Sequence, residues 1–427
     1  MSERRWRAWA RVIAVSVGVI AAGCVQPLGP QGNTSLGASA ELAEASRMSN
    51  EVVRLFGQGK YDEAVVLAER ALTYAEKELG QDHPIVATSL NNLATLHMAR
   101  GDYARAEPLF KRSLIIYEKA LGPGDPNLAN ALTNLGDLYR LKGDYARAEP
   151  LYKRALRIRE EALGSDHADV GLSLNSLGLL YIEMGDYARA EPVVRRALST
   201  FEEALGPNHA NVASALGNLG GLYQAKGDYA RAEPLLLRAL RIREKILGPE
   251  HPEVALSLNN LAELYREKGD FARTEPFYQR ALAIFEKTLG PDHPNVAAAL
   301  NNLAGLYHTR GDSARAEALY ERSLAIKEKA FGPDHPDIAL ALNNLATIVK
   351  ERGDYARAEP LQERALAIAE KALGPDHPSV AVYLNNLAEV CQQRGNRARA
   401  RPLYERALAI QEKALGRGHP SVATTLN

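Results

Sequence analysis

The sequence predicts an all-α solenoid, because it repeats itself every 42 residues. The segment Leu258-Asn259-Asn260-Leu261-Ala262 returns in related form at that spacing, beginning at Leu90, Leu132, Leu174, Leu216, Leu300, Leu342 and Leu384. A glycine follows each copy at a constant distance, and aspartate comes next in all but the last: Gly101, Gly143, Gly185, Gly227, Gly269, Gly311, Gly353 and Gly395. Each unit of such an array buries its apolar face against its neighbours, so 427 residues need not form several globular domains.

The amino terminus has the pattern of an export signal. Four arginines among the first eleven residues precede an apolar run, residues 12–22, that is too short to cross a bilayer comfortably. Ala21-Ala22-Gly23-Cys24 resembles the bacterial lipoprotein signal, although Ala21 stands where a larger aliphatic residue is usual. The resemblance implies a signal peptide over residues 1–24 and lipidation of Cys24, and Val25 favours the outer membrane, facing the periplasm. An ordinary secretory signal or an uncleaved anchor is the alternative.

Two segments separate this signal from the regular array. Residues 25–39 are rich in Gly, Pro, Gln, Asn and Ser, a composition that favours a flexible linker. Residues 40–80 are predicted to form a degenerate helix pair that caps the solenoid, since their second half matches the repeat and their first half is more polar.

Segment 253–290 shows why each unit should be a pair of helices. Its first half carries one broad apolar stripe at helical spacing, formed by Val254, Leu258, Leu261, Ala262, Leu264 and Tyr265. Gly269 ends this helix, and a second is predicted from about Phe271 to Leu289, with Pro276 near its first turn, where a missing N–H costs little. We predict eight such units over residues 81–420 and the start of another over 421–427.

These residues carry a family resemblance. The pattern of Leu258, Leu261, Ala262, Tyr265, Gly269 and Ala281 resembles the tetratricopeptide repeat. The 42-residue length and the phrases Leu-Asn-Asn-Leu-Ala, Gly-Asp-Tyr-Ala-Arg-Ala-Glu-Pro-Leu and Leu-Gly-Pro-Asp-His-Pro resemble its kinesin light chain subclass, from about Tyr61 to Asn427. The resemblance implies a right-handed superhelix of antiparallel helix pairs whose concave groove binds a protein or peptide. The scaffold is general, so no particular partner is implied.

The second asparagine of each pair is the first candidate for peptide recognition in the groove. These residues are Asn92, Asn134, Asn218, Asn260, Asn302, Asn344 and Asn386, with Ser176 in the third unit. In the family this position implies a ladder that binds peptide backbone, and an amide both donates and accepts. The alternative is that these side chains bridge neighbouring helices within the stack, and both roles can hold at once.

The inward positions implied by the family are neutral to mildly acidic. They hold the basic residues Arg140, Arg266 and Lys350 and the acidic residues Asp137, Glu183, Glu263, Glu267, Glu351 and Glu389. Kinesin light chains bind acidic cargo with basic groove residues, and this sequence departs from that pattern. We therefore expect partner binding with little dependence on salt.

One stretch is more apolar than the rest and is a candidate pocket for a partner side chain. It comprises Leu172, Leu179, Ile182, Gly217 and Gly221, with Gly220 beside them. Glycines within a helix cost up to ~1 kcal/mol each, so three in one helix call for a reason. Drift in a redundant array is the alternative.

Other recurrent polar residues have structural interpretations. Histidines precede the first helices at positions 83, 167, 209, 251, 293, 335, 377 and 419, where the second unit has Asp125, so we expect them to cap helices and not to bind metal. The Arg-Ala-Glu phrase, from Arg105 and Glu107 to Arg357 and Glu359, is interpreted as a charge stripe of solvated faces and weak ion pairs. Four arginines, Arg394, Arg397, Arg399 and Arg401, suggest a basic patch at the carboxyl end. Cys391, in place of a core tyrosine, is expected to be a buried, inert thiol.

Composition and motifs favour an interaction scaffold. The net charge is zero, which gives no general attraction to nucleic acid, and membrane contact is expected only through the anchor. No catalytic set, cofactor motif or metal site is predicted. The alternatives are a regulatory or sensor fragment of a larger signalling or protease system, because the chain stops at Asn427 within a first helix, and an enzyme. At that end, surface near Leu403, Leu408 and Ile410 is expected to be poorly shielded and to favour self-association.

Overall fold

The structure is a computed structural model that describes residues 36–415, and the side chains of residues 41–413, and every regular element in this range is a helix. A first compact unit spans residues 36–289 of the described chain. Its helices are α1 (Leu36–Gly57), α2 (Tyr61–Leu79), α3 (Pro84–Ala99), α4 (Tyr103–Leu121), α5 (Pro126–Leu141), α6 (Tyr145–Leu163), α7 (Ala168–Glu183), α8 (Tyr187–Leu205), α9 (Ala210–Ala225), α10 (Tyr229–Leu247), α11 (Pro252–Glu267) and α12 (Phe271–Leu289). A second unit spans residues 290–415, with α13 (Pro294–Thr309), α14 (Ser313–Phe331), α15 (Pro336–Glu351), α16 (Tyr355–Leu373), α17 (Val380–Gln393) and α18 (Arg397–Leu415).

Within each unit the helices are stacked as pairs. An odd-numbered helix, called an A helix below, packs most extensively on the even-numbered B helix that follows it, and each B helix then packs on the next A helix of its unit. A helices of successive pairs also touch, as α7 and α9 do. This arrangement confirms the predicted all-α solenoid of helix pairs.

The core of each pair is built from small and large residues that alternate along the B helix. In α6, Ala148 and Ala155 are fully buried and Tyr152 is 1% exposed, so the small residues allow close approach and the ring fills the space. The A-helix stripe in α11 is buried as predicted, including Val254, Leu258 and Tyr265. The apolar stripe read from the sequence is therefore the buried face.

Glycine is required at the turn within a helix pair and at the turn that follows the pair. Gly143, between α5 and α6, has φ of 72°, and Gly164, after α6, has φ of 86°. Side chains with a Cβ rarely adopt these angles, so the periodic glycines fix the chain reversals.

The recurrent histidines begin the A helices. His251 Nδ1 accepts a hydrogen bond of 3.2 Å from the backbone N–H of Glu253, and Asp125 Oδ1 accepts one of 2.8 Å from Asn127. The same side-chain bond is made by His83, His167, His209, His293, His335 and His377. The helix-capping interpretation is confirmed for these residues, whereas His419 lies outside the described range.

The B-helix proline lies deeper in its helix than predicted. Pro276 is the sixth residue of α12, in the helix interior and not in its first turn. At this position proline removes an i→i−4 hydrogen bond and its ring crowds the preceding turn, so it carries a real cost. Equivalent prolines lie inside α4, α6, α8, α10, α16 and α18.

The amino-terminal predictions are only partly within the described chain. Helix α1 begins at Leu36, four residues inside the predicted linker, because the prolines end at Pro30 and Leu36, Ala38 and Ala40 favour helix. The signal peptide, Cys24 and the rest of the linker lie outside the described residues, as does segment 421–427. Among the helices that the structure describes, none is long and apolar enough to cross a membrane.

Candidate functional site

The paired asparagines form a hydrogen-bonded ladder between successive A helices. In the first unit, Asn134 Nδ2 donates to Asn91 Oδ1 at 3.0 Å, and Asn218 Nδ2 donates to Asn175 Oδ1 at 2.8 Å. The second unit repeats this bond from Asn344 to Asn301 at 3.0 Å and from Asn386 to Asn343 at 2.6 Å. Asn92 donates instead to Ser49 Oγ of α1 at 3.0 Å. The bridging role is thus observed, and the peptide-binding role stays a prediction.

The ladder has an interruption in the first unit. Asn260 of α11 corresponds to the asparagines that donate to the first asparagine of the preceding repeat. In the repeat before Asn260, that acceptor position is Gly217, which has no side chain. Asn260 makes no side-chain hydrogen bond within residues 36–415. Asn302, on α13, is half-buried at the equivalent position of its own helix.

The unusual glycines of α9 divide into two kinds. A Cβ at Gly220 would lie 2.7 Å from Leu236 Cδ2, so this glycine permits close packing of α9 on α10. A Cβ at Gly217 or Gly221 would meet nothing within 4 Å. Gly217 and Gly221 are four residues apart and share one face of the helix, so they leave open space on that face.

The predicted apolar residues lie on the equivalent face of the neighbouring α7. Leu172 and Leu179 are seven residues apart and therefore share a face, and Leu172 is 40% exposed. Leu179 is partly buried and Ile182 is 9% exposed. Since α7 contacts α9 and Leu179 is one period before Gly221, these residues and the two open glycines form one surface. We call Leu172, Leu179, Ile182, Gly217 and Gly221 the apolar window.

Charged residues on either side of the apolar window are paired among themselves. In α5, Arg140 Nε lies 3.4 Å from Asp137 Oδ1, and Arg140 also pairs with Glu183 of α7. Burial would lower the pKa of Arg140, but the surrounding carboxylates, Glu183 first, raise it well above its ordinary value. In α11, Arg266 Nη2 lies 2.6 Å from Glu263 Oε1. The flanks therefore present ion pairs rather than uncompensated charge.

The second unit pairs its face charges in the same way. Lys350 Nζ lies 2.8 Å from Glu389 Oε2, and His308 Nε2 lies 2.7 Å from Glu351 Oε2. Both pairs join one A helix to the next, so the predicted inward charges serve the stack itself. Glu267 lies at the end of α11 and is half-buried.

The Arg-Ala-Glu stripe was expected to form solvated faces with weak ion pairs, and its glutamates are instead partly buried and paired across repeats. The Glu107 carboxylate, 18% exposed, accepts from Tyr139 Oη at 3.0 Å, from Lys142 Nζ at 2.7 Å and from Lys111 Nζ at 2.8 Å, and Arg147 stacks over the Tyr139 ring. Burial opposes ionisation, but these hydrogen bonds lower the pKa of Glu107 to about 2. Because Tyr139 and Lys142 belong to the next pair, this glutamate is an inter-repeat junction.

The same junction recurs along both units. In each copy the glutamate accepts a hydrogen bond from the tyrosine 32 residues later or from the basic residues 35 and 40 residues later. These glutamates are Glu149, Glu191, Glu233, Glu317 and Glu359. At Glu359 the tyrosine is replaced by Cys391, whose Sγ lies 3.6 Å from Glu359 Oε1. Cys391 is fully buried, which confirms the buried-thiol interpretation, and burial raises its pKa.

The carboxyl-terminal basic patch is also corrected. Arg394 and Arg399 both pair with Glu359, and Arg401 Nε lies 2.7 Å from Glu405 Oε1, so three of its four arginines have acidic partners. Nearby, Ile410 is buried at 5% exposure and packs in the core of α15–α18, contrary to the expectation that it is poorly shielded. Leu403 is partly buried against the same core, and Leu408 is partly buried as well.

The arrangement has the chemistry of a binding surface. The A-helix face combines amide groups, internally neutralised charges and an apolar opening, which are features found at protein-binding surfaces. Within residues 36–415, no three His, Cys, Asp or Glu side chains are grouped so that they could hold a metal ion.

Comparison with protein families identifies the repeat. The profile described as tetratricopeptide repeat matches nine overlapping segments: 53–119, 86–161, 129–203, 169–245, 211–287, 253–329, 316–371, 337–413 and 381–427. No protein of curated function matches the sequence.

Several solved structures are similar. A putative kinesin light chain of Podosopora anserina with nearly identical repeats is 31% identical, with 48% of this chain and 98% of that chain covered and a TM-score of 0.42. BtubC (BKLC) from P. vanneervenii is 27% identical, with coverages of 55% and 92% and a TM-score of 0.43. A Rap protein complexed with competence and sporulation factor shares the fold at 16% identity, with coverages of 90% and 99% and a TM-score of 0.54.

Proposed function

The chain belongs to the tetratricopeptide repeat family, and on this premise we propose that it is a scaffold that binds a protein or peptide partner on its A-helix face. The kinesin light chain-like character of its repeats agrees with such a role. The proposal is of a non-catalytic binding protein, in which affinity comes from packing and hydrogen bonds.

The apolar window is the observation that carries this proposal. Its outermost side chain, Leu172, is 40% exposed, on a face where neighbouring charges are paired and asparagines form a ladder. An apolar side chain of the partner that enters it would displace water from Leu172 and Leu179 and fill the space over Gly221. Burial of one large apolar side chain contributes about 1.5–3 kcal/mol, which is enough to anchor a peptide whose backbone is held by amides along the ladder.

A comparison of two matched surface variants tests the proposal. Leu172→Glu with Leu179→Glu places charge in the apolar window, whereas Ile115→Glu changes an apolar residue of α4 that is 62% exposed and lies outside it. Proteins captured by the native chain from extracts of the source cells, identified by mass spectrometry, should be lost with the first variant and retained with the second. Capture of the same set by all three forms would contradict a binding role for this face.

We also propose that the scaffold is exported and anchored by lipid at the bacterial envelope. The support is the sequence alone: the arginine-rich start, the short apolar run and the small residues before Cys24. Metabolic labelling with a fatty-acid analogue should label the native chain and not Cys24→Ser. Equal labelling of the two forms would exclude Cys24 as the lipidated residue.

A further inference from the structure

We propose that Asn260 and the open space over Gly217 form a subsite for a primary carboxamide, the side chain of an asparagine or glutamine in the bound partner. This inference rests on the proposed binding function and specifies one side chain that the partner contributes. In the complex, the ligand oxygen accepts a hydrogen bond from Asn260 Nδ2 and so completes the ladder from outside.

The ladder itself defines the chemistry of the subsite. Four times along the chain a carboxamide Nδ2 donates to a carboxamide Oδ1 that lies one pair earlier, at 2.6–3.0 Å. The donor at Asn260 occupies the corresponding position, and α9 and α11 are in contact as the other bonded neighbours are. Only the acceptor is missing, because position 217 is glycine.

The space for a replacement acceptor is present. A Cβ built on Gly217 meets no atom within 4 Å, and the same is true one turn later at Gly221. The packing glycine, Gly220, is different because Leu236 lies against it. Gly217 is therefore not required by helix packing, and as a helix-interior glycine it destabilises α9.

The donor of the subsite has unmet hydrogen-bonding capacity. Asn260 is half-buried and has no side-chain partner within residues 36–415. Buried polar atoms are usually paired, and those that are not invite a ligand or an ordered water. A carboxamide offers both an acceptor and two donors, so it matches amides of either orientation.

Charge and polarity exclude the other common side chains. A carboxylate would lose hydration at the subsite without gaining a cation from α11, because Arg266 of that helix is already paired with Glu263. An aliphatic group would fill the space but leave Asn260 unbonded, and sites built for hydrogen bonding discriminate strongly against such analogues.

The experiment uses the full-length chain and two small probes. Propionamide has the end group of glutamine, and propionate has that of glutamate. With asparagine side-chain amides labelled with ¹⁵N, propionamide should shift the Asn260 NH₂ signals saturably and leave those of Asn344, which is bonded to Asn301, unchanged. Propionate should act on the order of tenfold more weakly, because its charge would lose hydration without gaining a cation.

Two substitutions at one position provide the decisive comparison. Gly217→Asn supplies the missing acceptor internally, so the response to propionamide should disappear while the melting temperature stays equal or rises. Gly217→Ala adds only a Cβ into open space, so the response should persist.

A folded native chain whose Asn260 signals ignore propionamide, or a Gly217→Asn variant that responds as the native chain does, would overturn the inference. Equal responses to propionamide and propionate would overturn the carboxamide assignment. None of these results would affect the capture of partners that depends on Leu172 and Leu179, so the failure of this subsite and the failure of the proposed function are separable.

Discussion

A glutamate of the B helix joins one repeat to the next through several polar contacts. Glu191 of α8 accepts from Tyr223 Oη at 2.8 Å and lies 2.8 Å from Lys226 Nζ, and both of these partners belong to α9 and the turn after it. Arg231 of α10 stacks over the Tyr223 ring at 4.3 Å, so two further helices meet at this glutamate. The hydrogen bonds of Lys226 and Tyr223 lower the pKa of Glu191 to about 2.

Replacement of Glu191 with glutamine should therefore reduce stability in a pH-dependent way. The folded pKa lies below the ordinary value of 4.5, so the contribution is complete above pH 4.5 and is lost as pH falls through about 2. Because the carboxylate is partly solvated, we expect roughly 1 kcal/mol at pH 7 rather than the full value of the shift. Thermal unfolding of native and Glu191→Gln chains should differ at pH 7 and converge near pH 2.

The matched control is Glu161→Gln, at an exposed acid of α6 that makes no side-chain bond within residues 36–415. It should leave the unfolding temperature unchanged across this range. If both variants behave alike, Glu191 is not an inter-repeat junction.

A second residue, Gln362 of α16, is a polar exception in the core. It is 2% exposed, and its Oε1 is buried without a hydrogen bond, at the position that tyrosine or leucine occupies in other B helices, as in Tyr152 and Leu236. Substitution of Gln362 with leucine, which is similar in volume, should stabilise the chain by about 1–2 kcal/mol by removing the unpaired group. Chemical denaturation measures this, and Gln362→Glu should instead destabilise, whereas a loss of stability in the leucine variant would show that the amide is satisfied.

At the scale of the helix, the interior prolines are the least expected feature. Seven of the nine B helices in the described range carry one at their sixth position, on the exposed side, whereas α2 has Val66 and α14 has Ala318 there. Helix propensity alone cannot account for this, because proline costs about 3 kcal/mol in a helix interior relative to alanine. These two helices show that the B helix forms without proline.

Pro234→Ala in α10 should consequently stabilise the protein by about 1–3 kcal/mol, because it restores a backbone hydrogen bond. This range allows for the greater conformational entropy of the unfolded chain without proline, which opposes the gain. The reverse change, Ala318→Pro in α14, should destabilise by a similar amount. Denaturant unfolding of both variants tests the pair, and a destabilised Pro234→Ala chain would mean that the proline ring makes a packing contribution larger than the lost bond.

Helices were predictable from sequence to the extent that local rules determine them. The periodic glycines and the apolar stripe predicted a helix from about Phe271 to Leu289, which is the range observed, since each signal acts within one turn of the chain. Pro276 was assigned to the first turn, although a helix that begins at Phe271 makes it the sixth residue. The burial of the Arg-Ala-Glu stripe was missed for another reason: its partners lie 32–40 residues away, and only packing shows that they meet.

At the scale of the whole chain, the candidate site was likewise predictable only where local sequence signals determine it. The sequence showed that Leu172, Gly217 and Gly221 depart from the repeat, but not that Gly220 serves packing while Gly217 and Gly221 face open space. It offered two roles for the asparagines, and the distances between Asn175 and Asn218 establish the bridging one. What the sequence could not supply was the register between successive A helices, from which the vacancy beside Asn260 follows.

Inter-repeat ion pairs also determine how the array as a whole should respond to salt. Successive B helices are joined by exposed pairs such as Arg196–Glu160 at 2.6 Å, Arg238–Glu202 at 2.7 Å and Arg280–Glu244 at 2.8 Å, whose side chains are about a third to a half exposed. The chain has 52 basic and 52 acidic residues, so added salt relieves no net repulsion. Screening therefore acts mainly on attractions, each worth about 0.2–1 kcal/mol.

We expect the unfolding temperature to fall by a few degrees when sodium chloride is raised from low concentration to about 0.5 M. At that concentration the Debye length is well below its value of ~10 Å at 0.1 M. The measurement is thermal unfolding at pH 7 with protein concentration held constant, because an array need not unfold in two states. A triple variant with Arg196, Arg238 and Arg280 changed to glutamine should unfold at a lower temperature in dilute buffer and depend less on salt. If the native chain is stabilised by sodium chloride over this range, the exposed pairs contribute less than the repulsions that remain, and the stack is held by its apolar core alone.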